Sequence, residues 1–196
     1  MAGAPPPAAL PLDGIVVLDL TRALAGPYAT ALLADLGATI IKVESKKGGD
    51  STRAWPPFEG VHSLYFDSVN RNKSSIAIDF YSAEGAALLR RMALDADVVI
   101  ENFKPGTMAE MGLDPVQLRA EKPSLIIASV SGFGSSGPLA QAAGLDQVAQ
   151  GMSGLMSVTG DDVEHPTRVG VPIVDIYAGV FTAVGIGRAS CRERVY

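Results

Sequence analysis

Two aspartates late in the chain are the side chains best suited to covalent chemistry. Asp175 is the one charged residue of the stretch 169–181, VGVPIVDIYAGVF, and Asp146 opens the helical pattern DQVAQGM. Each could simply cap a helix, since Asp is a favoured N-cap residue. The helix dipole would also keep such a carboxylate ionised, and an ionised carboxylate on rigid structure is a usable nucleophile. The local pattern leaves both interpretations open.

Other kinds of site find little support in the sequence. Cys191 is the sole cysteine, which excludes an internal disulfide and a thiolate metal cluster, and the only histidines are His62 and His165. The first strand–helix turn, TRALAGP, lacks the G-x-G-x-x-G pattern of dinucleotide sites, which argues against a nicotinamide or flavin oxidoreductase. A zinc site or a Ser-His-Asp triad would therefore have to use one of the two histidines.

Composition narrows the possible partners and location. The 196 residues carry a net charge of -5, which argues against a nucleic-acid binder. No apolar run reaches transmembrane length, and residues 1–14 contain no Lys or Arg, unlike a typical secretory leader or transit peptide. We expect no nucleic-acid partner, no membrane association and a cytoplasmic location, with mitochondria as the alternative in a eukaryote.

The two ends of the chain differ from its middle. Residues 1–11 are rich in Ala and Pro and are expected to form a disordered leader before a domain over 12–186. At GRASCRERVY, residues 187–196, the charge density rises sharply, and with Ile186 this segment matches one reading frame of a common sequencing-library adapter. We expect residues 187–196 to be non-native read-through, with a natural basic helix end as the alternative.

Strand and helix patterns alternate along the chain. Five segments, most of them rich in Val and Ile, are predicted as strands: 15–20, 39–44, 74–79, 97–102 and 125–132. Helical patterns begin at Pro27, after Ser82, at Thr107 and at Pro115. This alternation predicts an open α/β fold with a mainly parallel sheet. Ligands bind beyond the carboxyl ends of such strands, which directs attention to the loops TRALAGP, SKKGGDSTRAW, NFKPG and GFGSSGP.

Basic side chains gather near two of the predicted strands. Lys42, Lys46 and Lys47 lie in or just after the second strand, and Arg71 and Lys73 precede the third. Both groups could reach a phosphorylated ligand at the edge of the sheet. A solvated run of surface charges is the alternative interpretation.

Five ordered motifs resemble class III CoA-transferases, a family that includes formyl-CoA transferase, carnitine CoA-transferases and α-methylacyl-CoA racemase. The motifs occupy 11–44, 68–79, 97–113, 143–160 and 169–179. The resemblance extends from Leu10 to Ile186. LTRALAGP, WPPF and SVNRNK are most similar to the dicarboxylate branch, which includes succinyl-CoA:hydroxymethylglutarate CoA-transferase.

This resemblance implies a fold and a mechanism. The fold would be a Rossmann-like large domain with a separate small domain, and two chains would interlock as rings. Asp175 stands at the nucleophile of the family's P-x-x-D motif, and Asp146 at the aspartate of its AG-H-D motif. The Asp175 carboxylate would attack an acyl-CoA thioester, giving a mixed anhydride and then an aspartyl-CoA thioester. Exchange of donor acid for acceptor acid would complete the transfer, so acyl-CoA and small carboxylates are the implied substrates. The implied mechanism needs no metal and no permanently bound cofactor.

The resemblance also assigns CoA contacts in three groups: a turn beside the pantetheine and thioester, basic residues near the nucleotide, and positions around the adenine and the ligand. The turn comprises Arg22, Ala23, Leu24 and Ala25, and the basic residues near the nucleotide are Lys42 and Lys46. Ile78 matches a position beside the adenine, and Asn102 and Phe103 match ligand-contacting positions.

Three departures from the family pattern matter. Leu145 stands where the racemase branch has a histidine, so proton abstraction and return on an α-carbon lacks one of its two groups and transfer is favoured. Glu110 stands where many members have a CoA-binding arginine. The family's small domain and the glycine-rich loop over its active site lie beyond the sequence, so we expect an N-terminal fragment that is inactive alone. A racemase-type isomerase and a catalytically incomplete CoA-binding fragment are the alternatives.

Overall fold

The computed structural model describes residues 9–162 and 164–193 of the chain. Its strands are β1 (Val16–Asp19), β2 (Thr39–Ser45), β3 (Phe58–Glu59), β4 (His62–Ser63), β5 (Lys73–Ile78), β6 (Val98–Glu101) and β7 (Ile126–Ser129). Its α-helices are α1 (Ala25–Asp35), α2 (Leu64–Asn70), α3 (Ala83–Asp95), α4 (Thr107–Glu110), α5 (Pro115–Glu121), α6 (Asp146–Met152) and α7 (Ile173–Glu193). Two 3₁₀ turns cover Ser51–Ala54 and Leu155–Val158.

Five parallel strands form one sheet in the order β5-β2-β1-β6-β7, while β3 and β4 form a separate antiparallel hairpin. The predicted open α/β fold is therefore confirmed. From β1 the chain builds outward through β2 to β5, then crosses to the other side of β1 to add β6 and β7. The strand order thus reverses between β1 and β6, and the crevice beyond their carboxyl ends is where such sheets bind ligands.

The predicted boundaries need small corrections. The first helix begins at Ala25 instead of Pro27, which is possible because a proline in the first turn lacks only an N–H that would be unpaired anyway. The last strand ends at Ser129, although Val130 N still donates to Glu101 O (2.9 Å). The predicted cap of α3 is confirmed, since Ser82 Oγ accepts a hydrogen bond from Gly85 N (3.1 Å).

Apolar side chains pack on both faces of the sheet. Successive residues of a strand point to opposite faces, so Leu18 joins the cluster under α3 and α5, while Val17 joins the cluster under α1 and α7. Leu89 of α3 and Leu33 of α1 are fully buried at the centres of these two clusters. This burial on both faces explains the continuous apolar runs of the strands.

Helix α7 packs along α1 and contributes Ala183 and Ile186 to the core. By length and composition alone its segment Ile173–Cys191 could cross a membrane, which differs from the expectation that no segment is long and apolar enough. A core helix of a soluble protein would be mostly buried, whereas only 22% of this segment is buried among the described residues, although α7 packs on α1. The helix continues past Ile186, whereas residues 1–8 of the expected leader and 194–196 of the expected tail lie outside the described residues.

Candidate active site

A cavity of about 750 Å³ opens beyond the carboxyl ends of β1, β2 and β6. We refer to it as the sheet-end cavity. Three of the four loops singled out in the sequence line it, represented by Arg22, Lys47 and Phe103, while GFGSSGP contributes no residue to its wall. Its size and position suit a small-molecule ligand.

The loops after β1 and β6 are tied together at this cavity. Arg22 N donates to Asn102 Oδ1 (2.9 Å), and Asn102 Nδ2 donates to Arg22 O (2.7 Å). The Arg22 guanidinium lies 5.4 Å from the centroid of the Phe103 ring. Three predicted CoA contacts thus come together, and the Asn102 amide acts first as a brace for the turn that carries Arg22.

The remaining predicted contacts are distributed unevenly. Ala23 follows with a positive φ of 66°, and Leu24 and Ala25 are buried where α1 begins. Ile78 is buried at the end of β5, just before the cavity-lining residue Phe80. Lys46 is exposed and outside the cavity wall, whereas its neighbour Lys47 lines it.

Lys42 is a buried structural cation as well as part of the cavity wall. Its Nζ lies 3.0 Å from Asp50 Oδ2 and donates to Thr21 O (2.9 Å). These partners hold the SKKGGD loop against the turn after β1, and Asp50 Oδ1 also accepts from Ala23 N of that turn (3.4 Å). A buried charge is tolerated when it is paired and hydrogen-bonded in this way.

The basic residues before β5 form ion pairs within the protein. Lys73 Nζ lies 3.2 Å from Asp19 Oδ2 in a fully buried pair, and Arg71 pairs with Asp35 on the surface. Burial alone would raise the pKa of Asp19, but Lys73 and Lys42 outweigh it and lower the pKa. Both cations have carboxylate partners and neither lines the sheet-end cavity, so contact of Arg71 and Lys73 with a phosphorylated ligand stays a prediction.

A second charged cluster fixes the other wall of the cavity. Glu44 accepts two hydrogen bonds from the Arg53 guanidinium (2.7 and 2.6 Å) and one from Asp50 N (2.9 Å). Burial opposes ionisation of Glu44, yet these donors and Ser75 lower its pKa to about 2. Sequence reasoning missed this cluster, although Glu44 in a buried strand two residues after Lys42 was a signal that partners were needed.

The aspartate pair, Asp146 and Asp175, joins two helix N-termini. Asp146 is the first residue of α6, and its Oδ1 accepts from Val174 N (2.8 Å) and Asp175 N (3.3 Å) in the first turn of α7. From the local pattern, each aspartate could simply cap a helix. Asp146 caps α7, and among the described residues no hydrogen bond ends on the Asp175 carboxylate.

Electrostatics at Asp175 also differ from expectation. Burial, and then the charge of Asp146, raise the pKa of Asp175 to about 6. The helix dipole was expected to keep this group readily ionised, but desolvation outweighs the dipole here. The carboxyl is still mostly ionised at neutral pH, and its raised pKa makes the carboxylate more basic than that of an exposed aspartate.

Tyr65 of α2 is affected by the charges of Asp175 and of Asp50, a residue of the cavity wall. Burial, and then the charges of Asp175 and Asp50, raise the pKa of Tyr65, so its phenol lies within electrostatic range of both. Its ring lies 5.2 Å from that of Trp55. Sequence reasoning missed Tyr65, since nothing in the pattern around it indicates this long-range contact. Asp175 and Asp146 themselves are not part of the cavity wall.

Within the described residues, no group of three or more His, Cys, Asp or Glu side chains could hold a metal ion. An apolar groove lies between α6, the following 3₁₀ turn and α7. Val158 and Tyr177 of its lining are exposed to solvent, as are Val148 and Met152 of α6 and Phe181 of α7.

Comparison with known proteins is consistent with this geometry. The family model described as CoA-transferase family III matches residues 12–195. A succinate–glutarate CoA-transferase of Agrobacterium fabrum is 48% identical over 186 residues, which cover 91% of this chain and 46% of that protein. An acetyl-CoA:oxalate CoA-transferase of Acetobacter aceti is 45% identical, over 94% of this chain and 48% of that protein.

A solved structure shows the same fold. A CaiB/BaiF family protein from Brucella suis superposes with a TM-score of 0.89 and 44% identity, over 96% of this chain and 51% of that one. The chain thus spans about half the length of the relatives it matches. The chain belongs to CoA-transferase family III.

Proposed function

We propose that the full-length protein transfers coenzyme A between small carboxylic acids, with Asp175 as the nucleophile. The observation that carries the proposal is the aspartate pair. Asp175 is half-buried at the start of α7, with its backbone N–H held by Asp146 and no described hydrogen bond on its own carboxylate. A carboxylate in this state is a stronger base and keeps its lone pairs for a substrate carbonyl.

The proposed reaction needs only this carboxylate and its shielding. An Asp175 oxygen attacks the thioester carbonyl of the donor acyl-CoA, forming an anhydride and expelling CoA as a thiolate. The thiolate attacks the Asp175 carbonyl of the anhydride, releasing the donor acid and forming an aspartyl-CoA thioester. The acceptor carboxylate then reacts with this thioester, and the thiolate returns to the new acyl group. Atoms and charges balance without a redox partner, and exclusion of water protects both intermediates.

We propose that the CoA moiety binds in the sheet-end cavity. Arg22 and Lys47 are cations at its wall, and the Phe103 ring offers an apolar face for part of the ligand. The relatives' names refer to succinate, glutarate and oxalate, so we propose dicarboxylates as donor and acceptor. Leu145 is exposed and apolar and cannot exchange a proton, which disfavours the racemase alternative.

We also propose the organisation of the full-length protein. Residues 12–186 are the first part of a large domain, a small domain follows, and 187–196 are non-native. The exposed apolar residues of α6 and α7 support burial of this face by the remaining chain or a second copy in an interlocked homodimer. We place the protein in the cytoplasm. Sequencing the gene past codon 186 tests the tail: a genomic match to GRASCRERVY would contradict it.

The function is tested by measuring CoA transfer in the full-length protein. Succinyl-CoA is supplied with glutarate or oxalate, and the new CoA ester is quantified by chromatography. Asp175→Ala should lower kcat at least about a thousandfold while CoA still binds, because a covalent step is lost. Asp161→Asn, at an exposed position outside the aspartate pair, is the control and should retain wild-type rates. Wild-type transfer by Asp175→Ala would refute the proposal.

A further inference from the structure

We propose that Gln150 is a positioning residue for the transfer reaction: its buried amide fixes the Asp146 carboxylate under the first turn of α7. This inference rests on the proposed function, since its consequence is felt at Asp175. Gln150 is fully buried although its side chain is polar, and none of the features discussed so far requires a glutamine there.

Both ends of the Gln150 amide are in use. Nε2 donates to Asp146 Oδ2 (2.6 Å), one helical turn earlier in α6, and Oε1 accepts from Val169 N (2.8 Å). The position needs a donor and an acceptor on the same side chain. A neutral amide supplies both, and it does so independently of pH. The two hydrogen bonds also satisfy a polar group that would otherwise be costly to bury.

The Asp146 carboxylate is thereby divided between two partners. Oδ2 faces the Gln150 amide, which leaves Oδ1 directed at Val174 N and Asp175 N. Without Gln150 the carboxylate would be free to rotate away from the N-terminus of α7. Gln150 also accepts a hydrogen bond from Val169 N, so side chains of α6 bind the segment 169–175 at both of its ends.

This arrangement fixes a negative charge beside the proposed nucleophile. The titratable group that acts on the Asp175 carboxylate is Asp146 from α6, and Gln150 adds no charge of its own; Asp175 in turn acts on Tyr65 of α2. A carboxylate at this position would repel Asp146, whereas an apolar residue would release it. Gln150 thus holds Asp146 in place without changing the charge of the pair.

The test uses Gln150→Glu in the full-length protein, with Gln147→Glu as the control. Gln150→Glu keeps an acceptor for Val169 N but loses the amide donor to Asp146, so it separates the two roles. Gln147→Glu adds the same charge to the same helix at an exposed position. Initial rates of CoA transfer from succinyl-CoA to glutarate are measured from pH 5 to 9, giving kcat and KM separately.

We expect Gln150→Glu to gain an alkaline limb. At low pH the introduced carboxyl is protonated, and its O–H can donate to Asp146. Once it ionises, two carboxylates face each other and kcat falls about 10- to 100-fold, with KM for acyl-CoA within twofold of wild type. Gln147→Glu should keep the wild-type profile. A wild-type profile for Gln150→Glu would overturn the inference and leave Gln150 only its bond to Val169.

A second variant tests the inference if Gln150→Glu does not fold. Gln150→Leu is combined with Asp146→Asn in a double-mutant cycle on kcat. If Gln150 acts through Asp146, the leucine lowers kcat about tenfold in the wild-type background and less than twofold in the Asp146→Asn background. Independent, multiplying effects would overturn the inference. Failure of the proposed function itself is distinguishable, because the unmutated protein would then transfer no CoA.

Discussion

Replacement of Asp175 by Asn should stabilise the folded protein at pH 8 while it removes transfer activity. The ionised carboxylate is half-buried, faces the charge of Asp146 and receives no hydrogen bond from the described residues. An amide of the same shape carries no charge and removes this unfavourable interaction. Such a residue lowers stability for the sake of reactivity, which is expected of a nucleophile and not of a helix cap.

The magnitude follows from the pKa of Asp175, which burial and then Asp146 raise from 3.8 to about 6. A tenfold change in proton affinity corresponds to about 1.4 kcal/mol, so the full rise corresponds to roughly 3 kcal/mol. Partial exposure screens the charge, and we expect a gain of about 1–2 kcal/mol in the free energy of unfolding.

The sign depends on pH in a defined way. Because the folded-state pKa lies above that of the unfolded chain, the folded state binds the proton more tightly, and ionisation of Asp175 destabilises it. The advantage of Asn is absent below about pH 4, grows between about pH 4 and 6, and is constant above.

Denaturant unfolding of the full-length protein and of the Asp175→Asn variant at pH 4.5, 6 and 8 measures the difference. Asp161→Asn, at an exposed position, is the matched control and should change stability by less than about 0.5 kcal/mol at every pH. A loss of stability at pH 8, or a gain equal at all pH values, would refute this reasoning about Asp175.

Three further predictions concern activity, ligand binding and packing. CoA transfer should fall about tenfold per pH unit below about pH 6, because only ionised Asp175 is nucleophilic; a rate–pH profile that is flat to pH 4.5 would contradict this. Lys47→Ala should weaken CoA binding about fivefold in calorimetric titration, and less at high salt, because Lys47 lines the cavity. Lys46→Ala should change CoA binding less than twofold. Equal effects of the two substitutions would contradict the assignment of Lys47, and not Lys46, to the cavity wall. Gly179→Ala should lower the free energy of unfolding by about 1–3 kcal/mol, measured with denaturant, because its methyl would lie 2.7 Å from Ala25 O. At Gly185 a methyl would meet nothing beyond the neighbouring backbone of α7 within 4 Å, so Gly185→Ala should raise the free energy of unfolding by up to about 1 kcal/mol. A stabilised Gly179→Ala would show that α7 can shift on α1.

Much of the fold could be predicted from local pattern. Strands such as β1 and β6 are apolar almost throughout because both faces of the sheet are covered, and Ser82 marks the start of α3 by its own cap. The crevice between β1 and β6 then follows from the general behaviour of parallel sheets. Helix starts were less certain, as Pro27 shows, because proline is accepted anywhere in a first turn.

The charged contacts of the site could not be predicted in the same way. The bond from Asp175 N to Asp146 spans 29 residues and depends on how α6 meets α7. Lys42 was read as a ligand contact, since no local signal reveals that Asp50 folds back to pair with it. Tyr65 lies in a helix whose position is set by the irregular stretch before it. Each of these contacts is tertiary, and periodicity carries no information about them.

The most direct test of the account is to locate the covalent intermediate. The full-length protein is incubated with succinyl-CoA without an acceptor acid, quenched in acid, digested with trypsin and analysed by mass spectrometry. Cleavage after Arg168 releases a peptide that begins at Val169, and Asp175 is its only carboxylate side chain as far as Ile186. The account predicts a succinyl or CoA adduct on this peptide that hydroxylamine removes and that Asp175→Ala does not form. An adduct on another peptide, or one that persists in Asp175→Ala, would contradict it.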